Sequence, residues 1–227
     1  MELKFGNPDT RILNLSQKDS IFQKYFDEYS KFPYNNYLNS VIEIEKIIDI
    51  QNQAKQSKDW NKIKAYCDLM DRNKNKEAYK QILIDCNIES NQKLINYLAN
   101  CSDELGTLIA RLKIYYNRPR PYQVAYYSKQ DLFPLYTINA FSPAYPSGHA
   151  SQFYFVCSIL SSLFPLKAKE IMETSNRISN SRIILGVHYP SDNKFGIELT
   201  KSLLQKDEIK NKYIADNLLK WKKDMYI

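Results

Sequence analysis

Between Pro33 and Gly106 the chain contains neither glycine nor proline, and only five glycines and nine prolines occur in all 227 residues. Turn-rich β folds draw on glycine for left-handed backbone, so this scarcity favours helices. Residues 40–56, "SVIEIEKIIDIQNQAKQ", run past their isoleucines into Glu, Lys and Gln, which predicts a helix and not a strand. Residues 20–32, behind a candidate Ser20 cap, and residues 60–85 and 90–117 repeat the helical spacing, strongest in "ELGTLIARLKIYY".

"NRPRP" ends that run, and each proline holds the residue before it, Arg118 and Arg120, in extended geometry. Residues 122–145 read as an aromatic-rich connection. The stretch "ASQFYFVCSILSSLF" is apolar almost all round, the pattern of a buried central helix, and Pro165 stops it. A second helix over about 167–187 returns antiparallel, so the hairpin brings His188 back beside His149. Asp192 is placed to cap a third helix, and residues 207–223 form a basic amphipathic helix docked on the core. The expectation is an all-α fold, a single helical bundle domain over 1–227. Within it a helical region (1–100) packs on a catalytic core (101–205), followed by a C-terminal helix (206–227).

Composition narrows the function classes. The longest nearly apolar stretch, Phe153 to Phe164, falls short of the roughly 20 residues that span a bilayer. The first residues lack the basic-then-apolar pattern of a signal peptide. These features predict a cytoplasmic protein with no transmembrane segment. Four cysteines without CxxC spacing and only two histidines argue against structural zinc and for reduced, buried thiols. The net charge of +7 favours anionic ligands. No basic run or zinc-finger pattern points to nucleic acid, beyond a nucleotide as possible substrate. A homo-oligomer is compatible with the composition.

Both histidines sit among small, charged and turn-forming residues. "PSGH" puts Ser147 and Gly148 at a helix start, where free backbone N–H groups and the helix dipole favour an anion. "KIYYNRPRP" supplies Lys113 and Arg120, and "SRIILGVHYPSD" supplies Arg182, His188 and Asp192. Three converging cations suit a tetrahedral oxyanion such as phosphate. An imidazole backed by a carboxylate is a recognisable nucleophile or base, and a second imidazole can protonate a leaving oxygen.

The pattern K-x6-RP, then PSGH, then SR-x5-H-x3-D resembles the type 2 phosphatidic acid phosphatase superfamily, which includes class A bacterial acid phosphatases, membrane lipid phosphatases and vanadium haloperoxidases. The likeness covers about a third of the chain, from Lys113 to Asp192, and implies an acid phosphatase/haloperoxidase-like helical fold. It also implies roles: His188 as nucleophile, Asp192 orienting it, His149 as general acid. Lys113, Arg120, Arg182 and the backbone of Ser147 and Gly148 would hold the phosphate. Neither metal nor cofactor is implied for the phosphatase members. Asn193 and Lys194 depart from the small or apolar residues usual there.

Other residues near the motifs read more plainly. Arg118 and Arg177 lie outside the signature and are expected in surface salt bridges. Ser181 is expected to support the site by hydrogen bonding or packing. Tyr145 and Tyr189 are equally consistent with packing and with a pocket wall. The leading expectation is a soluble, metal-independent phosphomonoesterase acting on a small phosphorylated substrate through a phosphohistidine, with diphosphates and nucleotides also open. The alternative is a vanadium-dependent haloperoxidase using the same pocket for vanadate. A third reading is a non-catalytic module that binds anions or nucleic acid.

Overall fold

The computed structural model describes residues 3–33, 37–71, 75–89, 91–132, 134–135 and 140–215, and every regular element in them is helical. Helix α1 (Thr10–Ser16) starts where Asp9 accepts a hydrogen bond from Ile12 N, and it was not anticipated. The expected helix over 20–32 is reduced to a 3-10 turn (Gln23–Tyr25) and the short α2 (Phe26–Tyr29). Ser20 Oγ lies 2.6 Å from Thr107 Oγ1 and also accepts from Phe22 N at 3.3 Å, so it caps only this short turn.

Helices α3 (Tyr37–Gln56), α4 (Trp60–Asp71) and α5 (Asn75–Asp85) follow. The strand-like isoleucines of α3 are helical as expected, with Ile44 and Ile47 wholly buried. The expected run 60–85 falls into two helices, and residues 72–74 lie outside the described set. Helix α6 (Gln92–Tyr116) is a single element of 25 residues, capped by the Asn91 side chain on Lys93 N and closed by Asn117 in left-handed geometry at φ 49°.

The connection expected over 122–145 begins instead with helix α7 (Pro121–Ser128). Pro121 occupies its first position, where a fixed φ helps and the missing N–H costs nothing. The Gln123 side chain accepts from Arg120 N at 2.8 Å, and Arg120 itself is extended (φ −71°, ψ 156°), as its place before proline requires.

Helix α8 (Gly148–Leu163) is the buried central helix; α9 (Ala168–Ile184) returns beside it after Pro165, and α10 (Pro190–Leu203) crosses it. Phe153, Phe155, Val156, Cys157, Ile159 and Leu160 of α8 are all buried, each large apolar side chain contributing about 1.5–3 kcal/mol. Phe155 meets Phe22 and Tyr213 edge-on, so early and late parts of the chain close over the same residue. A short α11 (Asp207–Lys210) and a π-turn (Asn211–Ala215) replace the first part of the expected C-terminal helix; its remainder lies outside the described residues. All four cysteines are free and buried. Among the described residues no helix is long and apolar enough to cross a membrane.

The approach of α10 to α8 depends on Gly196. A β-carbon there would stand 2.6 Å from Ser151 Oγ and 3.0 Å from Ser147 O. The absent side chain lets the first turns of the two helices touch. Asn193, unusual for its position, is buried and donates to Ser179 O at 2.7 Å, tying α10 to α9; Lys194 points outward, 76% exposed.

Candidate active site

The end of α6, the start of α8, the end of α9 and the loop into α10 meet at one cleft of about 270 Å³. Its inner wall carries Lys113, Arg120, Gly148, His149, Arg182 and His188. The structure therefore brings together six of the eight residues singled out in the sequence. The other two stand behind the wall. Asp192 supports His188, and Ser147 is the N-cap of α8, its Oγ accepting from Ala150 N at 3.3 Å.

Ser147 is where one expectation is corrected. Its backbone N–H does not face the cleft but donates to Asp192 O at 3.1 Å. That bond stitches the first turn of α8 to the first turn of α10, which leaves Gly148 as the member of the pair on the cleft wall. Asp192 also differs in detail. It is the third residue of α10 and not its cap, with Oδ2 reaching back to Tyr189 N at 2.9 Å.

The two imidazoles are held in opposite senses. His188 Nδ1 lies 3.1 Å from Asp192 Oδ2, and Nε2 lies 2.9 Å from Arg120 Nη1. A guanidinium has only donors, so Nε2 accepts and Nδ1–H donates to the carboxylate. His149 Nε2 lies 2.9 Å from Met70 O, a carbonyl that can only accept. Its proton is on Nε2, and Nδ1 carries the lone pair.

Burial and the surrounding cations shape the electrostatics. His188 is pushed well below the usual histidine range by burial, then by Arg120, Lys113 and Arg182. His149 is lowered by burial and then by Arg182. Lys113 is lowered by burial and by Arg120, although its ammonium donates to Pro143 O at 2.6 Å. Arg120 is fixed by Ser142 O and Val187 O, both at 2.7 Å. Arg182 ends α9 with 1% of its surface exposed. Such a pocket carries excess positive charge that an entering oxyanion would neutralise. Among the described residues no group of three or more His, Cys, Asp or Glu is placed to hold a metal ion.

Arg118 overturns its surface assignment. It is 0% exposed, donates to Asp192 Oδ1 at 2.5 Å and to Glu43 Oε2 at 3.0 Å, and stacks 3.8 Å over the Tyr189 ring. Two carboxylates, Asp192 and Glu43, offset its burial. Arg177 is at the surface as expected, 56% exposed and 3.4 Å from Asp85. Tyr145 and Tyr189 are packing residues, the first stacked 4.7 Å from Phe195 and neither on the cleft wall. Ser181 is buried and donates to Ile178 O at 2.6 Å. Glu43 and Met70 went unread in the sequence. Glu43 shares a helix face with buried Ile47, four residues on, and an acid on an apolar face is the signal that could have found it. Met70 contributes only its carbonyl, which leaves no trace in sequence.

The helical scaffold gathers two histidines and three cations on one cleft, with a carboxylate behind one imidazole, an arrangement chemically suited to an oxyanion. Residues 94–201 match the family model of the PAP2 superfamily, and that span contains all eight residues discussed. Over this segment the chain is similar to the PAP2 superfamily. Among solved structures, a transmembrane PAP2-type phosphatidylglycerolphosphate phosphatase from Bacillus subtilis aligns with 84% of this chain over 87% of its own, at 17% identity and a TM-score of 0.32. Comparison with curated proteins finds no match.

Proposed function

We propose that the protein is a metal-independent phosphatase that hydrolyses phosphate monoesters through a phosphohistidine on His188. The observation that carries this reading is the His188 tautomer, with Nδ1–H on Asp192 and an unprotonated Nε2 on a cleft lined by Lys113, Arg120 and Arg182.

A phosphate ester entering the cleft draws Arg120 Nη1 from His188 Nε2 to its own oxygens. The freed lone pair of Nε2 attacks phosphorus as the bond to the leaving oxygen breaks. Asp192 stabilises the charge that grows on the ring. The dianion raises the proton affinity of His149, which takes up a proton on Nδ1 and delivers it to the leaving oxygen. In the second half His149 accepts a proton from water, whose oxygen attacks phosphorus and releases phosphate from Nε2. Lys113, Arg120, Arg182 and the Gly148 end of α8 stabilise the equatorial oxygens throughout. A cleft of about 270 Å³ suits a small phosphorylated substrate.

The test is release of phosphate from an aryl phosphate in EDTA. His188→Ala is expected to lose about 10⁴-fold or more in kcat, and His149→Ala about 10²–10⁴-fold. Activity unchanged in His188→Ala, or abolished in wild type by EDTA, overturns the reading. Orthovanadate is expected to inhibit; halide oxidation by peroxide that requires vanadate would place the protein with the haloperoxidases instead.

A further inference from the structure

Behind His188 lies an ion network that extends beyond the three motifs to Ser40 and Glu43 of α3. One guanidinium joins two carboxylates: Arg118 Nη1 on Asp192 Oδ1, and Nη2 on Glu43 Oε2 at 3.0 Å, with Ser40 Oγ also at 3.0 Å from Nη2. Glu43 then holds the start of α10, accepting from Ser191 N and Ser191 Oγ, both at 2.7 Å. Ser191 Oγ is 2.8 Å from Arg118 Nη1, which closes the circuit. Arg118 and Asp192 side chains are both 0% exposed. Glu43 and Ser40 belong to α3, outside the segment 94–201 that matches the family.

We infer that Arg118, held by Glu43, is a positioning residue for the proposed reaction, keeping Asp192 Oδ1 to itself so that Oδ2 stays on His188 Nδ1. The inference rests on His188 being the nucleophile. Geometry gives it two parts. Oδ1 accepts from Arg118, while Oδ2 accepts from Tyr189 N and His188 Nδ1–H, so the carboxylate can neither rotate nor take a proton without losing a donor. Glu43 in turn keeps Arg118 from collapsing wholly onto Asp192. An isolated buried carboxylate beside His188 would take up a proton and release the ring. The charged and titratable groups facing Asp192 are His188, Arg118, Glu43, Lys113, Tyr145 and Tyr189.

The test compares Arg118→Met, Arg118→Lys and Glu43→Gln with wild type, measuring kcat and KM for an aryl phosphate from pH 4.5 to 8. Arg118→Met is expected to lower kcat about 100-fold or more while KM changes less than threefold. The acid limb of its kcat profile moves to higher pH, because Asp192 now protonates more readily. Arg118→Lys restores the charge, and with it the limb and part of kcat. Glu43→Gln removes a negative neighbour and moves the limb the other way, to lower pH. A limb unmoved in both Arg118→Met and Glu43→Gln, with kcat falling only as the folded fraction falls, overturns the inference. Should Arg118→Met fail to fold, the limb positions of Arg118→Lys and Glu43→Gln decide it. Proton NMR of the ligand-free protein gives a readout that needs no turnover. A downfield His188 Nδ1–H signal is expected in wild type and is lost or weakened in the Arg118 variants. An unchanged signal overturns the inference, whereas wild type without phosphatase activity but with this signal overturns only the proposed reaction.

Discussion

Arg120 Nη1 rests 2.9 Å from His188 Nε2, so a buried cation caps the nitrogen that would attack phosphorus in the proposed reaction. The contact dictates the protonation of the ring. His188 carries its proton on Nδ1, whereas His149, donating to Met70 O, carries it on Nε2.

The two imidazoles are therefore opposite tautomers. The chain has only two histidines, which makes the measurement direct. Long-range ¹H–¹⁵N correlation at pH 7.5 is expected to show one ring of each kind. Saturating phosphate should protonate Nδ1 of His149. Two rings of the same tautomer in the free protein would contradict the arrangement.

Oxyanion affinity should follow the buried cations. Lys113→Met and Arg182→Met each remove a charged donor worth about 1.5–3 kcal/mol, or roughly 10- to 150-fold in the dissociation constant of phosphate. Arg177→Met, at the surface, serves as control and should bind as wild type. Titration calorimetry checks all three.

Acid should destabilise the free protein through its histidines. Both imidazoles have folded-state pKa values well below 6.5, the ordinary value, because burial and nearby cations oppose their charging. The unfolded chain takes up those protons first. Stability contributed by each neutral ring is complete above pH 6.5 and is lost as pH falls below it, by about 1.4 kcal/mol per pH unit per ring. Urea unfolding between pH 8 and 5.5 should show this slope, and His149→Gln should flatten it. A slope equal in the variant and wild type would refute the assignment.

Gly196→Ala should injure both stability and catalysis. The added methyl meets the Ser147 carbonyl at 3.0 Å, and backbone cannot step aside as a flexible side chain can. Overpacking of this kind costs about 1–3 kcal/mol. In a chain of this size each kcal/mol lowers Tm by about 2–4 °C. The displaced α10 would also strain the bond from Ser147 N to Asp192 O, so kcat should fall by more than the folded fraction does. Calorimetry and activity on the same sample separate the two effects.

Much of the site was legible because its chemistry sits in short segments. Lys113 and Arg120 flank one helix end, and Arg182, His188 and Asp192 span a single helix–loop–helix turn. The hairpin of α8 and α9 joins the segments, and its apolar pattern is local. Arg118 was misread because a charged residue beside proline looks the same on a surface as in a core. What distinguishes the two is Glu43, 75 positions away, and no local pattern links them.

Periodicity and the scarcity of glycine determined that this chain is helical and that one helix is buried, because the hydrophobic effect acts on patterns a few residues long. Residue types and spacing likewise singled out side chains that the fold gathers at or behind one cleft. Tertiary structure alone decided how those side chains are oriented. It turned Ser147 N–H away from the cleft to Asp192 O, set the two histidines as opposite tautomers, and brought Glu43 and Arg118 behind His188. Hydrogen bonds and ion pairs depend on direction and distance to groups far along the chain, and only the packed structure fixes those.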